Sequence, residues 1–482
     1  MNKPGTTKLS ESLEVSQLIG GLWQIADMER EGSRVNINVA VEAMDAYVKN
    51  GITSFDMADH YGSAELIAGA YGENYETPAQ FLTKWVPAPG GCTRSEVRDA
   101  VTLALSRMNT NRLDLLQYHA WNYADPSWID QLFWLQELKT EGLIDNLGVT
   151  NFDAAHLRIA LTSGIELVSN QVCYSLLDQR ASGELAQVCK EFKVRVLAFG
   201  VLAGGFLSDR WLDKKEPETL ATWSQMKYKR FIDTCGGWDK YQRVMQVLKK
   251  VADRHDCSIA NIATKYVLDQ EHVGAVIIGT RLGENQHIED NLRALQLELS
   301  SEDQFSIQNA ISSLSSIPGG CGDEYRKPPY LTASGDLSHH IDDMPPPYAV
   351  TEHGKKTKVR SGTIWETMAG FSRAVMVNQR ISISGTTATH GEKAIGGDDP
   401  VAQTHFIIDK IEGAMQSLGA SLEDVVRTRV YVSNLDHWEA VANVHGKRFG
   451  DIHPANTMVR ADLVGHYLVE IEAEAEISDT NS

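Results

Sequence analysis

From about Leu18 to Ile311, short apolar runs bounded by Gly, Pro or polar residues alternate with stretches of three- and four-residue periodicity. That alternation predicts strand–helix units around a parallel sheet. The runs at 51–56, 79–84 and 113–119 read as buried strands, and those at 146–149, 194–199 and 274–278 continue the series. Between two of them, Trp128, Leu132, Leu135 and Leu138 recur at helical steps, which predicts a helix over 126–140 with Gly142 as its stop.

Three runs close on side chains capable of chemistry: Asp56, Lys84 and His119, with Tyr61 five residues beyond the first. In a parallel α/β barrel the carboxyl ends of the strands share one rim, so these groups converge there. Periodicity alone equally allows an open doubly wound sheet, but no G-x-G-x-x-G follows an early strand. A phenol with an ordinary pKa of about 10 exchanges protons poorly at neutral pH unless a cation stabilises its anion. Lys84 can supply that cation, Asp56 can hold it in a buried place, and His119 can orient a carbonyl oxygen.

At 482 residues the chain exceeds one ordinary core, even that of a barrel of about 250–300 residues. Between 317 and 348, Pro318-Gly319-Gly320, Pro328-Pro329 and Pro345-Pro346-Pro347 interrupt every pattern, which predicts an interdomain linker dividing the chain into 1–316, 317–348 and 349–482. Beyond it, alternating runs at 380–384 and 427–432 and an amphipathic stretch at 400–418 predict a small α+β domain.

The formal charge of −19 disfavours capture by nucleic acid or an anionic membrane surface. From Thr351 onward there are 13 Lys and Arg against 18 Asp and Glu, so the second domain is not a basic module either. Six scattered cysteines show no spacing suited to zinc or a disulfide framework, and His339-His340 is a lone pair, so no metal centre is expected. With no run of about 18 apolar residues, a cytoplasmic protein is the expectation.

The motifs Phe55-Asp56-Met57-Ala58-Asp59-His60-Tyr61-Gly62, Thr83-Lys84 and Gln117-Tyr118-His119 resemble those of the aldo-keto reductases over roughly the first 320 residues. The resemblance implies a (β/α)8 TIM barrel with Asp56, Tyr61, Lys84 and His119 as catalytic tetrad. It also implies hydride transfer from a nicotinamide to an aldehyde or ketone, with Tyr61 delivering the proton. Carried over by position, Thr150, Asn151 and Gln171 would hold the nicotinamide carboxamide, Phe199 would stack on the ring, and Gly200 and Leu202 would strap the pyrophosphate. Gly279, Thr280, Arg281, His287, Asp290 and Asn291 resemble the segment that grips the adenosine end. A guanidinium at Arg281 fits a 2′-phosphate two-pronged, which favours NADP (NADPH) as cofactor. Trp23, at the end of the first apolar run, and Trp121, two residues past His119, are candidate walls of a substrate pocket.

Ile383-Ser384-Gly385-Thr386-Thr387-Ala388, the run at 417–426 and Val469-Glu470-Ile471-Glu472-Ala473 resemble the RidA/YjgF family, which implies a chorismate-mutase-like fold fused behind the barrel. In active members an arginine after Pro-Ala grips the carboxylate of a 2-imino acid and a glutamate in the final strand positions water. Here Asn456 stands in the arginine's place while Glu470 matches the glutamate, so imino-acid deamination is not expected. Family members form trimers, which implies a homotrimer through this domain. The leading expectation is therefore an NADP-dependent carbonyl reductase. Two alternatives are an enzyme coupling imine or enamine hydrolysis to carbonyl reduction, and a nucleotide-sensing regulatory subunit resembling the channel β-subunits that share the reductase barrel.

Overall fold

The computed structural model describes residues 5–26, 35–283, 287–326 and 344–478. Eight parallel strands close a barrel: β1 (Leu18–Gly21), β2 (Ser54–Asp56), β3 (Gln80–Trp85), β4 (Leu115–His119), β5 (Leu147–Thr150), β6 (Leu167–Cys173), β7 (Arg195–Phe199) and β8 (Val273–Gly279), which pairs back onto β1. Every residue of β1, β2, β4 and β5 is buried, because helices cover the outside while side chains fill the inside. The helix Ser127–Thr140 buries Trp128, Leu132, Leu135 and Leu138, and Gly142 just beyond it has φ 86°, a left-handed turn that glycine adopts without penalty.

One end of the barrel is plugged. An antiparallel hairpin of Thr6–Lys8 and Glu14–Ser16 lies across the amino-terminal ends of the strands. Leu9, Leu13 and Val15 pack there on Ile19, Leu82, Leu115, Leu197 and Ala275, and the Thr7 hydroxyl donates to the Gly274 carbonyl at 2.6 Å. The barrel interior is therefore closed at this end.

The second domain is a seven-stranded sheet of β9 (Ala349–His353), β10 (Lys356–Arg360), β11 (Ala374–Val377), β12 (Arg380–Thr387), β13 (Val425–Val432), β14 (Ala455–Arg460) and β15 (Val469–Glu476). Its spatial order is β9-β10-β11-β12-β15-β13-β14, with β13 and β14 parallel and the other pairs antiparallel. Along β15 the apolar Val469, Ile471, Ala473 and Ala475 are buried, while Glu470, Glu472, Glu474 and Glu476 alternate with them on the opposite face.

The stretch read as amphipathic becomes the helix Pro400–Gln416, which is buried almost all round. It lies between two layers, the sheet on one side and the barrel helix Ala154–Thr162 on the other. The segment that leads into it is tied to the barrel. Arg158 pairs with Asp399 at 2.7 Å, His390 with Asp130 at 2.7 Å, and the Gly396 N–H donates to Ser163 Oγ at 3.0 Å.

Of the segment read as a linker, residues 327–343 lie outside the described residues. Residues 317–326 pack on the barrel mouth, where buried Glu324 takes the Arg180 guanidinium, 2.8 Å from one of its oxygens. No described helix is long and apolar enough to cross a membrane.

Candidate active site

Registers in the barrel bring three strand ends to one level: Gly21 faces Asp56, Lys84 faces Gln117, and His119 faces Thr150. Lys84 Nζ donates to both Asp56 oxygens at 2.7 Å and to the Met57 carbonyl at 2.8 Å, with both charged side chains buried. Burial lowers the Lys84 pKa, and Asp56 opposes that shift by stabilising the ammonium. The same ammonium lies 5.1 Å from the centroid of the Tyr61 ring. Tyr61 is 9% exposed, and its ring packs edge-on against Trp23 at 5.1 Å and His60 at 4.9 Å.

His119 is 3% exposed, and neither ring nitrogen is paired within ordinary hydrogen-bond geometry among the described residues, the Thr150 backbone lying only close enough to oppose the fall of its pKa. Burial, and then the Arg326 guanidinium, push its pKa down to about 3. It is a neutral imidazole with one N–H to give. A buried donor left unsatisfied is destabilising, so its presence on a cavity wall marks a place for an oxygen. Trp121 stands edge-on to His119 at 4.5 Å, held by its own Nε1 donating to the Pro87 carbonyl at 2.7 Å.

Asp56, Tyr61, Lys84 and His119 all line one cavity of about 590 Å³ at the mouth, together with Trp23 and Trp121. That volume is typical of a small-molecule or cofactor site. Thr150, Asn151, Gln171, Phe199, Gly200, Leu202, Gly279, Arg281 and His287 line it too. The remaining three carried-over positions do not. Thr280 is buried with its hydroxyl donating to the Gly21 carbonyl at 3.0 Å, and Asp290 and Asn291 lie on the short helix Ile288–Arg293.

The donor set fits a nicotinamide dinucleotide. Asn151, at φ 61°, presents a buried Oδ1 with no partner among the described residues, suited to a carboxamide N–H. Gln171 Nε2 donates to Asp56 Oδ1 at 2.7 Å and to Gln117 Oε1 at 3.0 Å, which ties this part of the cavity to the Asp56–Lys84 pair. Gly200 has φ 70°, and a Cβ there would collide with the Tyr228 hydroxyl, so backbone alone fits between β7 and the helix Trp223–Thr234.

The cavity also has walls that strand-end logic misses. Lys227, from the helix after β7, lies 5.6 Å from the Phe199 ring centroid and bonds the Tyr325 hydroxyl, while Tyr325 stands 5.9 Å from His119. Arg326 donates to the Ala120 carbonyl at 3.1 Å and to the Asn151 carbonyl. Tyr325 and Arg326 belong to the Pro/Gly-rich segment after the barrel, which carries no periodic signal. Trp223 lines the cavity, whereas Trp85 packs on Tyr118 outside it.

In the second domain Asn456 donates to Thr428 Oγ1 at 2.9 Å and lies 3.4 Å from His445 Nε2, on the face that carries the helices. Glu470 lies on the opposite face, against Gly385, and burial raises its pKa. Within one chain the two do not meet.

Residues 363–477 match the family model described as endoribonuclease L-PSP. An uncharacterized protein of Streptomyces coelicolor is 34% identical over 120 residues, which are 24% of this chain and 90% of that protein. The chloroplastic pyridoxal reductase of Arabidopsis thaliana is 23% identical over 321 residues, 62% of this chain and 84% of that one. A solved structure of a glycerol dehydrogenase from Gluconobacter oxydans superposes with a TM-score of 0.54 at 20% identity, covering 65% of this chain and 97% of that one, and shares the barrel fold. The model described as aldo/keto reductase family matches residues 17–312, and with most of the chain inside that match, the protein belongs to the aldo/keto reductase family.

Proposed function

We propose that the protein is an NADP-dependent reductase of an aldehyde or ketone, with Tyr61 as proton donor. The observation that carries this reading is the buried Asp56–Lys84 pair beneath the Tyr61 ring, on the same cavity as an unpartnered, neutral His119. When bound, the nicotinamide supplies the hydride. His119 gives its one N–H to the substrate carbonyl oxygen and sets its position. Lys84 stabilises the developing phenolate as the Tyr61 proton moves to that oxygen, and Asp56 holds Lys84 charged against the cost of burial. Asn151 and Gln171 fix the carboxamide, and so fix which face of the ring meets the substrate.

Arg281 supports NADP over NAD. It is exposed at the mouth, lining the cavity beside His287, with Nε 3.3 Å from Gln24 Oε1. Loss of a charge-assisted grip on a 2′-phosphate predicts that Arg281→Ala weakens NADPH binding about tenfold or more while NADH binding stays within about twofold. Titration calorimetry with both cofactors reads this directly, and an equal loss for both would reject the assignment.

The Trp23 and Trp121 walls suit an apolar or aromatic carbonyl. The name of the Arabidopsis relative, a pyridoxal reductase, points the same way, toward an aldehyde on an aromatic ring. The fused domain is proposed not to deaminate imino acids, since the Asn456 amide lacks the charge to grip a carboxylate and turns away from Glu470. Its sheet face opposite the helices is the surface a homotrimer would use. The whole reading is tested by following nicotinamide absorbance with NADPH and NADH across aldehydes, ketones and sugar-like alcohols. Turnover of carbonyls with NADPH is expected, and a cofactor that binds but stays unchanged throughout would favour a regulatory subunit.

A further inference from the structure

The loop that follows catalytic His119 is held from the second domain. Residues 120–126 carry Trp121 against His119, and each of the next three residues meets the barrel–sheet interface. Asn122 Nδ2 donates to Gln416 Oε1 at 3.0 Å. The Ala124 carbonyl abuts the helix Pro400–Gln416 where the residue is Gly413, and a Cβ there would collide with that oxygen. Tyr123 stacks on His156 with ring centroids 3.4 Å apart and planes within 5°.

His156 is bound at both nitrogens. Nδ1 lies 2.7 Å from Asp153 in the barrel and Nε2 lies 3.0 Å from Asp409 on the second domain. Two carboxylates accept and neither donates, so both nitrogens must carry protons and the ring is an imidazolium. Asp409 turns its other oxygen to Arg448 at 2.7 Å, and Arg448 reaches Glu412 at 2.7 Å. Arg326 covers the Tyr123 ring, its guanidinium carbon 4.2 Å from the centroid. His405, pushed down to about 3 first by burial and then by Arg448, stays neutral nearby. Charges in this group balance: Asp153, Asp409 and Glu412 against His156, Arg448 and Arg326.

We propose that Asp409 is a positioning residue of the reductase site: by fixing His156 across the domain boundary, it seats Tyr123 and thereby holds Trp121 against His119. The two domains are then one catalytic unit, in which the helix Pro400–Gln416 backs the loop that carries Trp121. This inference rests on the carbonyl-reductase reading for its kinetic consequences, and on geometry alone for the loop.

Burial by itself would lower the His156 pKa, but Asp153 and then Asp409 raise it to about 9 from the ordinary 6.5. A group raised in the folded state contributes fully below its ordinary pKa and loses that contribution as pH climbs through the folded value. The seat of the loop should therefore weaken above about pH 9. In Asp409→Asn one raising partner is gone, so the same weakening arrives at lower pH.

The test compares wild type, Asp409→Asn and Gly413→Ala as full-length protein. Both variants are expected to raise KM for a carbonyl substrate about five- to tenfold, with kcat and the dissociation constant of NADPH within about twofold, since the loop touches the substrate side of the cavity. KM in wild type rises above about pH 9, and in Asp409→Asn the rise moves to lower pH. Amide hydrogen exchange at 120–126 quickens in both variants while β4 and β5 keep their protection. Gly413→Ala reports on the Ala124 contact alone, so if Asp409→Asn does not fold, the wild-type rise of KM and of exchange at 120–126 above about pH 9 decides the matter. Unchanged KM, pH profile and loop exchange would overturn the proposal. If wild type reduces no carbonyl, the reductase reading fails by itself, and the exchange at 120–126 still decides whether the loop is seated from Asp409.

Discussion

Tyr61→Phe is expected to lower kcat by at least about a hundredfold, because it removes a positioned general acid and changes little else. The phenylalanine ring keeps the edge-on contacts with Trp23 at 5.1 Å and His60 at 4.9 Å, so stability should stay within about 1 kcal/mol. Cofactor affinity should stay within about twofold, since the carboxamide and adenosine contacts lie elsewhere on the cavity. The diagnostic pattern is a fall in kcat and kcat/KM by the same factor, the mark of an interaction made only in the transition state. Steady-state kinetics with a calorimetric check on NADPH binding gives all of these. A loss below about tenfold with the cofactor still bound would remove Tyr61 as the proton donor, and His119 at about 3 is already neutral and has no acidic proton to replace it.

Asp56, Lys84 and His119 are legible as neighbours on one rim because the barrel converts position along the chain into position in space. Asp56 and His119 end β2 and β4, and Lys84 is the penultimate residue of β3, so an apolar run followed by one polar residue was enough to point at the rim. Thr150, Gln171 and Phe199, named from the family resemblance, sit on β5, β6 and β7. Strand-end position could not reach Lys227, whose helix follows a long loop, or Tyr325 and Arg326, whose segment reads as turn-forming composition with no period. Their places are fixed by long-range contacts, Glu324 with Arg180 and Arg326 with the carbonyls of Ala120 and Asn151, and local pattern carries no record of such contacts. The helix Pro400–Gln416 shows the same limit in another form. Its sequence is amphipathic, which predicts one wet face, yet Gln403 and Thr404 are buried with partners in their own domain, Gly397, Leu468 and Pro400, and Asp409 is buried because the barrel's His156 supplies a partner that water would have supplied.

Lys84→Met separates the catalytic role of the buried ion pair from its structural one. Lys84 makes three bonds of 2.7 to 2.8 Å, two of them to Asp56, and methionine replaces none of them. Asp56 would keep only amide donors, Gln171 at 2.7 Å and Gln117 at 3.3 Å, both on one oxygen. A carboxylate left buried without its cation destabilises by about 3–5 kcal/mol, a loss that denaturant unfolding reads plainly. Activity should fall by about a hundredfold or more, since the Tyr61 anion loses the charge that made the phenol acidic. Adding Asp56→Asn to Lys84→Met removes the orphaned charge, so stability should recover by roughly 2 kcal/mol or more while kcat stays down. That divergence is the decisive outcome: if the double variant recovered activity along with stability, Lys84 would be a structural partner of Asp56 and not the cation that tunes Tyr61. If Lys84→Met alone were as stable as wild type, the buried pair would not be the support beneath the tyrosine that the barrel geometry makes it.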